Sequence, residues 1–169
     1  SADAMRLIGG LPVAGFLGRG GAAKVFLVKH QDQGLAALKL FKPREPLEAL
    51  LGRETLLAWF RQEAADLAGM GHPNLVRVLG RGEHRGAPFY VMEYFCASLA
   101  GLLGEDLDPS RTCRTPHPDR CLDIAEQTLQ GLAALHGAGL VHRDLSPFNI
   151  MLDDKGRVKI ADLGFAGRR

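Results

Sequence analysis

Two short stretches hold residues whose types and spacing suit chemistry at a phosphate. The first is His142-Arg143-Asp144-Leu145-Ser146-Pro147-Phe148-Asn149. A short loop after a helix can hold Asp144 near a substrate hydroxyl. Asn149, five residues on, offers a neutral oxygen of the kind that suits Mg²⁺. The second stretch is Ala161-Asp162-Leu163-Gly164. Between them, Ile150-Met151-Leu152 and Val158-Lys159-Ile160 flank the turn Asp153-Asp154-Lys155-Gly156-Arg157, the pattern of a β-hairpin. A hairpin returns the chain to its start, so Asn149 and Asp162 are expected side by side as oxygen ligands of one Mg²⁺. His-Arg-Asp alone would be a surface charge cluster; its weight comes from the other residues that fall in order along the chain.

Upstream lies Leu17-Gly18-Arg19-Gly20-Gly21-Ala22-Ala23-Lys24-Val25. Glycines permit a tight turn and let backbone N–H groups approach a phosphate. A glycine-rich hairpin by itself is only a hairpin, and no Gly-Lys-Ser/Thr follows, so this is not a Walker loop. Next, Lys39 interrupts the apolar run Leu35–Phe41. A lysine in an apolar strand is costly unless it is paired or snorkels to water from an edge. Glu63 lies beside Phe60 and Leu67 on the apolar side of a helical pattern, an equally unusual place for a carboxylate. Each residue accounts for the other, and a Lys39–Glu63 pair is predicted.

The elements that must position these residues follow from periodicity and breakers. Residues 11–30 read as strand, glycine turn, strand, with Val25–Val28 rich in β-formers, and residues 35–41 as a third strand closed by Pro43 and Pro46. One long helix is predicted over 48–69, with Leu56, Phe60, Ala64 and Leu67 on one face. Strands at 75–79 and 88–95, joined by the polar turn Gly82–Gly86, complete a first domain ending at Tyr94. The second part, 95–169, reads as a short helix at 97–103, a proline-containing loop at 108–118, and a helix at 119–136 with Leu122, Ala125, Leu129 and Leu132 on one face. The hairpin then follows.

The 169 residues are 46% hydrophobic and 24% charged, with a formal net charge of +2. That balance points away from a nucleic-acid partner. No apolar run reaches a membrane span and no leader pattern opens the chain, so no membrane contact is expected in this segment. Cys96, Cys113 and Cys121 fit no zinc spacing and suit reduced thiols in the cytoplasm, or in a cytoplasmic domain of a larger protein.

Taken together, these motifs resemble the eukaryotic-type (Hanks-type) serine/threonine protein kinases, and the composition suits a bacterial source. Gly18-x-Gly20-x-x-Ala23-x-Val25 is similar to the glycine loop G-x-G-x-x-G-x-V, Ala36-Ala37-Leu38-Lys39 to the V-A-I-K strand, and Asp162-Leu163-Gly164 to D-F-G. The resemblance implies an α+β, protein-kinase-like fold. It would comprise a five-stranded antiparallel N-lobe with one long helix and the start of a helical C-lobe. It further implies ATP and Mg²⁺ as ligands and a protein as substrate. Asp144 would be the catalytic base, Lys39 a phosphate contact paired with Glu63, and Asn149 and Asp162 the metal ligands. Gly18, Gly20 and Gly21 would cover the phosphates. Leu17, Val25, Ala37, Met92 and Met151 would enclose adenine, and the backbone of Glu93 and Phe95 would bond it. Ser146 stands where such kinases carry a lysine, and it brings no charge to the phosphate. The resemblance also calls for an activation segment and further helices, so a missing C-lobe or partner chain is expected, and the 169 residues alone are expected to be inactive. The alternative reading is a nucleotide-binding pseudokinase or interaction module.

Overall fold

The computed structural model describes residues 6–104 and 114–161, with the backbone of Gly167–Arg168. The chain divides into two units: Ser1–Gly69 with Arg77–Tyr94, and Met70–Val76 with Phe95–Arg169.

The first unit contains β1 (Leu7–Ile8), β2 (Leu11–Arg19), β3 (Ala23–His30), β4 (Gly34–Phe41), α1 (Glu45–Leu51), α2 (Arg53–Ala68), β5 (Val78–His84) and β6 (Ala87–Glu93). The strands form one antiparallel sheet of order β1-β2-β3-β4-β6-β5. It has six strands rather than five because Leu7–Ile8 pairs with Leu11–Pro12. Alternation along β4 divides its side chains between two faces. Ala36, Leu38 and Leu40 join Ile8, Phe26, Val28, Phe89 and Val91 in one apolar cluster. Ala37, Lys39 and Phe41 point the other way, where Phe41 meets Phe60 of α2 with ring centroids 5.5 Å apart. The face of α2 buried there is Leu56, Phe60, Ala64 and Leu67, as helical spacing predicts.

Three boundaries differ from the sequence reading. The long helix is two helices. Gly52 separates them with φ 79°, a left-handed value outside the helical region, and Pro46 occupies the first turn of α1, where a missing N–H costs nothing. The β5–β6 connection is only Arg85-Gly86, with φ 52° and 76°, the two positive values a tight hairpin turn requires. The polar residues 82–84 are therefore strand. Leu75 and Val76, read as the start of that strand, are buried in the second unit instead, where Val76 N–H donates to the Ile160 carbonyl.

The second unit holds β7 (Ala97–Ser98), α3 (Leu99–Leu103), α4 (Pro118–Gly137), β8 (Leu140–Val141), β9 (Ile150–Leu152), β10 (Val158–Ile160) and β11 (Gly167–Arg168). Ser98 Oγ caps α3 by accepting from Gly101 N–H at 3.1 Å. The hairpin is present, with Ile150 opposite Ile160 and Leu152 opposite Val158. The buried side of α4 is Ile124, Thr128, Gly131 and Leu135. The stripe picked out by sequence is the outer one: Leu122, Ala125 and Leu129 are exposed and Leu132 is half-buried. Both stripes have helical spacing. The choice between them rests on Gly131, whose missing side chain lets α4 approach the chain at Asn74.

A Cβ at Gly131 would lie 2.9 Å from the Asn74 carbonyl oxygen and 2.8 Å from Ile160 Cδ1. Gly131→Ala is therefore expected to lose about 1–3 kcal/mol of stability by overpacking, outweighing the roughly 1 kcal/mol of helix propensity it gains. Chemical denaturation measures this, and a net gain in stability would contradict the packing described.

Candidate active site

In the first unit, register places the singled-out residues in rows across the sheet. Val25 is opposite Lys39, which is opposite Tyr90; Leu27 is opposite Ala37, which is opposite Met92. Partners in antiparallel strands share a face, so Val25, Ala37, Lys39 and Met92 lie together on the face that carries α2. Lys39 Nζ donates to Glu63 Oε1 at 2.7 Å, and the two side chains are only 14% and 12% exposed. Removing most of the water strengthens the attraction and makes loss of either partner costly. Tyr90, which sequence reasoning missed, also donates to Glu63 Oε1, at 2.6 Å. Its signal was a hydroxyl in the buried row directly opposite Lys39.

The glycine turn Gly20–Ala22 joins β2 to β3, with Gly20 N–H donating to Ala23 O at 2.9 Å. Two further backbone bonds tie it down: Lys42 N–H to Ala22 O at 2.9 Å and Arg44 N–H to Gly21 O at 2.8 Å. Leu17, Gly20 and Gly21 around it are exposed, and Gly18 is half-buried. Partial burial, then the cations Lys42, Arg19 and Arg6, push the Lys24 ammonium below its ordinary value. The turn therefore sits in a cluster of positive charge, an electrostatic setting that favours a polyanion. Glu93, at the end of β6, accepts from Arg77 N–H at 3.0 Å and donates its own N–H to Arg77 O at 3.0 Å.

In the second unit, Arg143 adopts φ 67°, a left-handed value that costs a side-chain-bearing residue roughly 1–2 kcal/mol. The turn it makes folds Asp144 N–H back onto His142 Nδ1, 3.2 Å away. Because Nδ1 accepts there, the imidazole proton resides on Nε2, which donates to the Ala161 carbonyl at 2.9 Å. The buried His142 thus links the loop to the residue preceding Asp162. Asn149 Nδ2 donates to the Asp144 carbonyl at 2.8 Å and to Asp144 Oδ2 at 3.3 Å. With its nitrogen so engaged, Asn149 keeps an amide oxygen for another partner, the donor type that a hard cation takes. Ala161 N–H donates to Asn149 O at 2.8 Å, extending the hairpin ladder by one step. Asp162 lies outside the described residues, as do Leu163 and Gly164. Phe95 and Met151 belong to this unit. The Lys159 ammonium stands 6.0 Å from the Phe95 ring centroid, and Met151 pairs with Ser98 and Lys159 in the three-stranded sheet.

Comparison with known sequences now bears on these parts. The protein kinase domain family matches residues 12–169. The chain belongs to that family. Among curated relatives, the probable serine/threonine-protein kinase SCO3848 of Streptomyces coelicolor is 37% identical over 166 residues, covering 95% of this chain and 23% of that protein. The probable serine/threonine-protein kinase pknA2 of Bifidobacterium longum is 38% identical over 115 residues, 68% of this chain and 14% of the relative. Serine/threonine-protein kinase pkn3 of Myxococcus xanthus is 34% identical over 161 residues, 91% of this chain and 27% of the relative. The chain therefore spans about a quarter or less of the length of these bacterial kinases. The α+β fold expected from the resemblance is the fold of this kinase chain, with the sixth strand added.

The kinase hairpin depends on Asp153 at its turn. Its carboxylate accepts from Lys155 N–H at 2.9 Å, Arg157 N–H at 2.8 Å and Arg157 Nε at 2.7 Å. Burial raises the Asp153 value, but the bonds from Arg157 and Lys155 outweigh it and hold the carboxyl below its ordinary value. A depressed folded value means the stabilisation is complete above the ordinary value of about 3.9 and is lost as pH falls through the lower folded one. Asp153→Ala is expected to destabilise the protein at pH 7 and to differ less from the parent as pH falls below about 3.9. Denaturation curves at the two pH values test this; an equal difference at both would contradict it.

Proposed function

We propose that this chain is the ATP-binding and catalytic-loop part of a bacterial serine/threonine protein kinase, with an N-lobe over 1–94 and the start of a C-lobe over 95–169. The observation that carries the reading is the Lys39–Glu63 pair, two costly residues 24 positions apart meeting at 2.7 Å on the sheet face shared with Val25, Ala37 and Met92. A half-buried ammonium on such a face suits the α- and β-phosphates of ATP, and Glu63 holds it there. Leu17, Val25, Ala37 and Met92 would line the adenine side, the backbone of Glu93 would bond the ring, and the turn at Gly18, Gly20 and Gly21 would cover the phosphates.

In the reaction, Asp144 takes the proton from the acceptor hydroxyl. The acceptor oxygen forms a bond to the γ-phosphorus as the bond to the β–γ bridging oxygen breaks, and ADP leaves. Asn149 offers an amide oxygen and Asp162, by its sequence position, a carboxylate, a donor set that fits Mg²⁺. When bound, Mg²⁺ supplies charge neutralisation at the phosphate oxygens. Asn149 Nδ2 also holds Asp144 at two atoms, its carbonyl oxygen and Oδ2, which orients the base before substrate arrives.

The partners are ATP and a protein acceptor rather than nucleic acid. No helix among the described residues is long and apolar enough to cross a membrane. The exposed free thiols of Cys96 and Cys121 support a cytoplasmic setting.

Radiolabelled phosphate transfer from ATP to a generic protein acceptor tests the proposal in the intact protein. Asp144→Asn is expected to lower kcat by at least about 100-fold, the usual contribution of a positioned base, with ATP binding retained. Nucleotide binding without Asp144-dependent transfer would favour a pseudokinase, the outcome that Ser146 makes worth testing.

A further inference from the structure

The hydroxyl of Tyr90 has no part in the reading above, yet it is buried beside the Lys39–Glu63 pair. Tyr90 is 1% exposed on β6, directly opposite Lys39 on β4. Its ring packs on Phe60, centroids 5.4 Å apart, and Phe60 sits one turn before Glu63 on α2. Its hydroxyl reaches Glu63 Oε1 at 2.6 Å, the same oxygen that accepts Lys39 Nζ at 2.7 Å. The Lys39 ammonium lies 5.7 Å from the Tyr90 ring centroid. One carboxylate oxygen therefore receives two donors from adjacent strands, one charged and one neutral.

We propose that Tyr90 is a positioning residue of this kinase, whose hydroxyl holds Glu63, and through Glu63 the Lys39 ammonium, in the arrangement used for phosphoryl transfer. The inference rests on the kinase reading. Lys39 must divide its donors between Glu63 and a phosphate, so its hold on Glu63 weakens when nucleotide is present. A phenol is uncharged at neutral pH and does not compete for the phosphate as a cation would. Its bond keeps Glu63, and with it α2, against the sheet while Lys39 is shared. A phenylalanine would satisfy the same buried pattern and the same ring contact, so the hydroxyl is the informative atom.

The test compares Tyr90→Phe, Glu63→Ala and the double variant in the intact protein. Three measurements are needed: kcat and KM for ATP with a generic protein acceptor, backbone hydrogen exchange along α2, and the melting temperature. Tyr90→Phe removes one hydrogen bond to a charged group and is expected to lower kcat roughly 10-fold, with KM for ATP changing less than about 3-fold. Exchange between Phe60 and Leu67 is expected to quicken by about 5-fold or more while the protein stays folded. In the Glu63→Ala background, where no acceptor remains for the hydroxyl, the same change is expected to alter kcat less than about 2-fold, because the two residues act through one bond. Unchanged kcat in an active protein, or losses that multiply independently in the double variant, would overturn the inference. A wild type that transfers no phosphate would defeat the kinase reading instead. The exchange measurement then decides for Tyr90 alone, and unaltered exchange in Tyr90→Phe refutes its role.

Discussion

The first unit is organised around a cation and a carboxylate that would each be expensive alone. Lys39 stands in β4, between β3 and β6, with apolar residues on both sides along the strand. Glu63 stands on the same side of α2 as Phe60, Ala64 and Leu67. Neither position would tolerate its residue without the other, because a desolvated charge left unpaired costs more than the pair gains. The pair therefore fixes which face of α2 meets the sheet and at what height. Tyr90 adds a second bond to the same oxygen, and the rings of Phe41, Phe60 and Tyr90 fill the space around it.

The second unit uses the same device with neutral groups. His142 is buried and bonded on both ring nitrogens, once to Asp144 N–H and once to the Ala161 carbonyl. Asn74, also buried, donates to Gln127 Oε1 and to the Val158 carbonyl, while its own carbonyl accepts from Ile160 N–H. These bonds lock α4 to the hairpin and the hairpin to the loop. Asp144 and Asn149 can then face solvent on short connections and still hold one geometry. The left-handed turn at Arg143 is strain that this framework supports.

Much of this was legible before any coordinates, and the reason is cost. Lys39 and Glu63 announced each other because each violated an apolar pattern. The hairpin between Asn149 and Ala161 was legible because its turn residues have few other uses. What was hidden involved choices between equivalent patterns. Two helical stripes run along α4, and only the approach to Asn74 at Gly131 decides which is buried. The break at Gly52 was invisible because glycine is tolerated within a helix and the flanking residues continue its periodicity. Tyr90 read as one more apolar strand residue, since its ring satisfies the pattern and its hydroxyl acts only through a partner 27 residues away. Asn74 fell in the gap between the predicted helix at 48–69 and the predicted strand at 75–79, although its side chain is a brace between α4 and β10.

The central claim is that the Lys39–Glu63 pair presents an ammonium to the phosphates of a nucleotide. A crystal structure of the intact protein with Mg²⁺ and a non-hydrolysable ATP analogue tests it most directly. The account predicts Lys39 Nζ within hydrogen-bond distance of both Glu63 and an α- or β-phosphate oxygen, with the adenine against Ala37 and Val25. Nucleotide bound elsewhere, or Lys39 held by Glu63 and turned away from the phosphates, would contradict it.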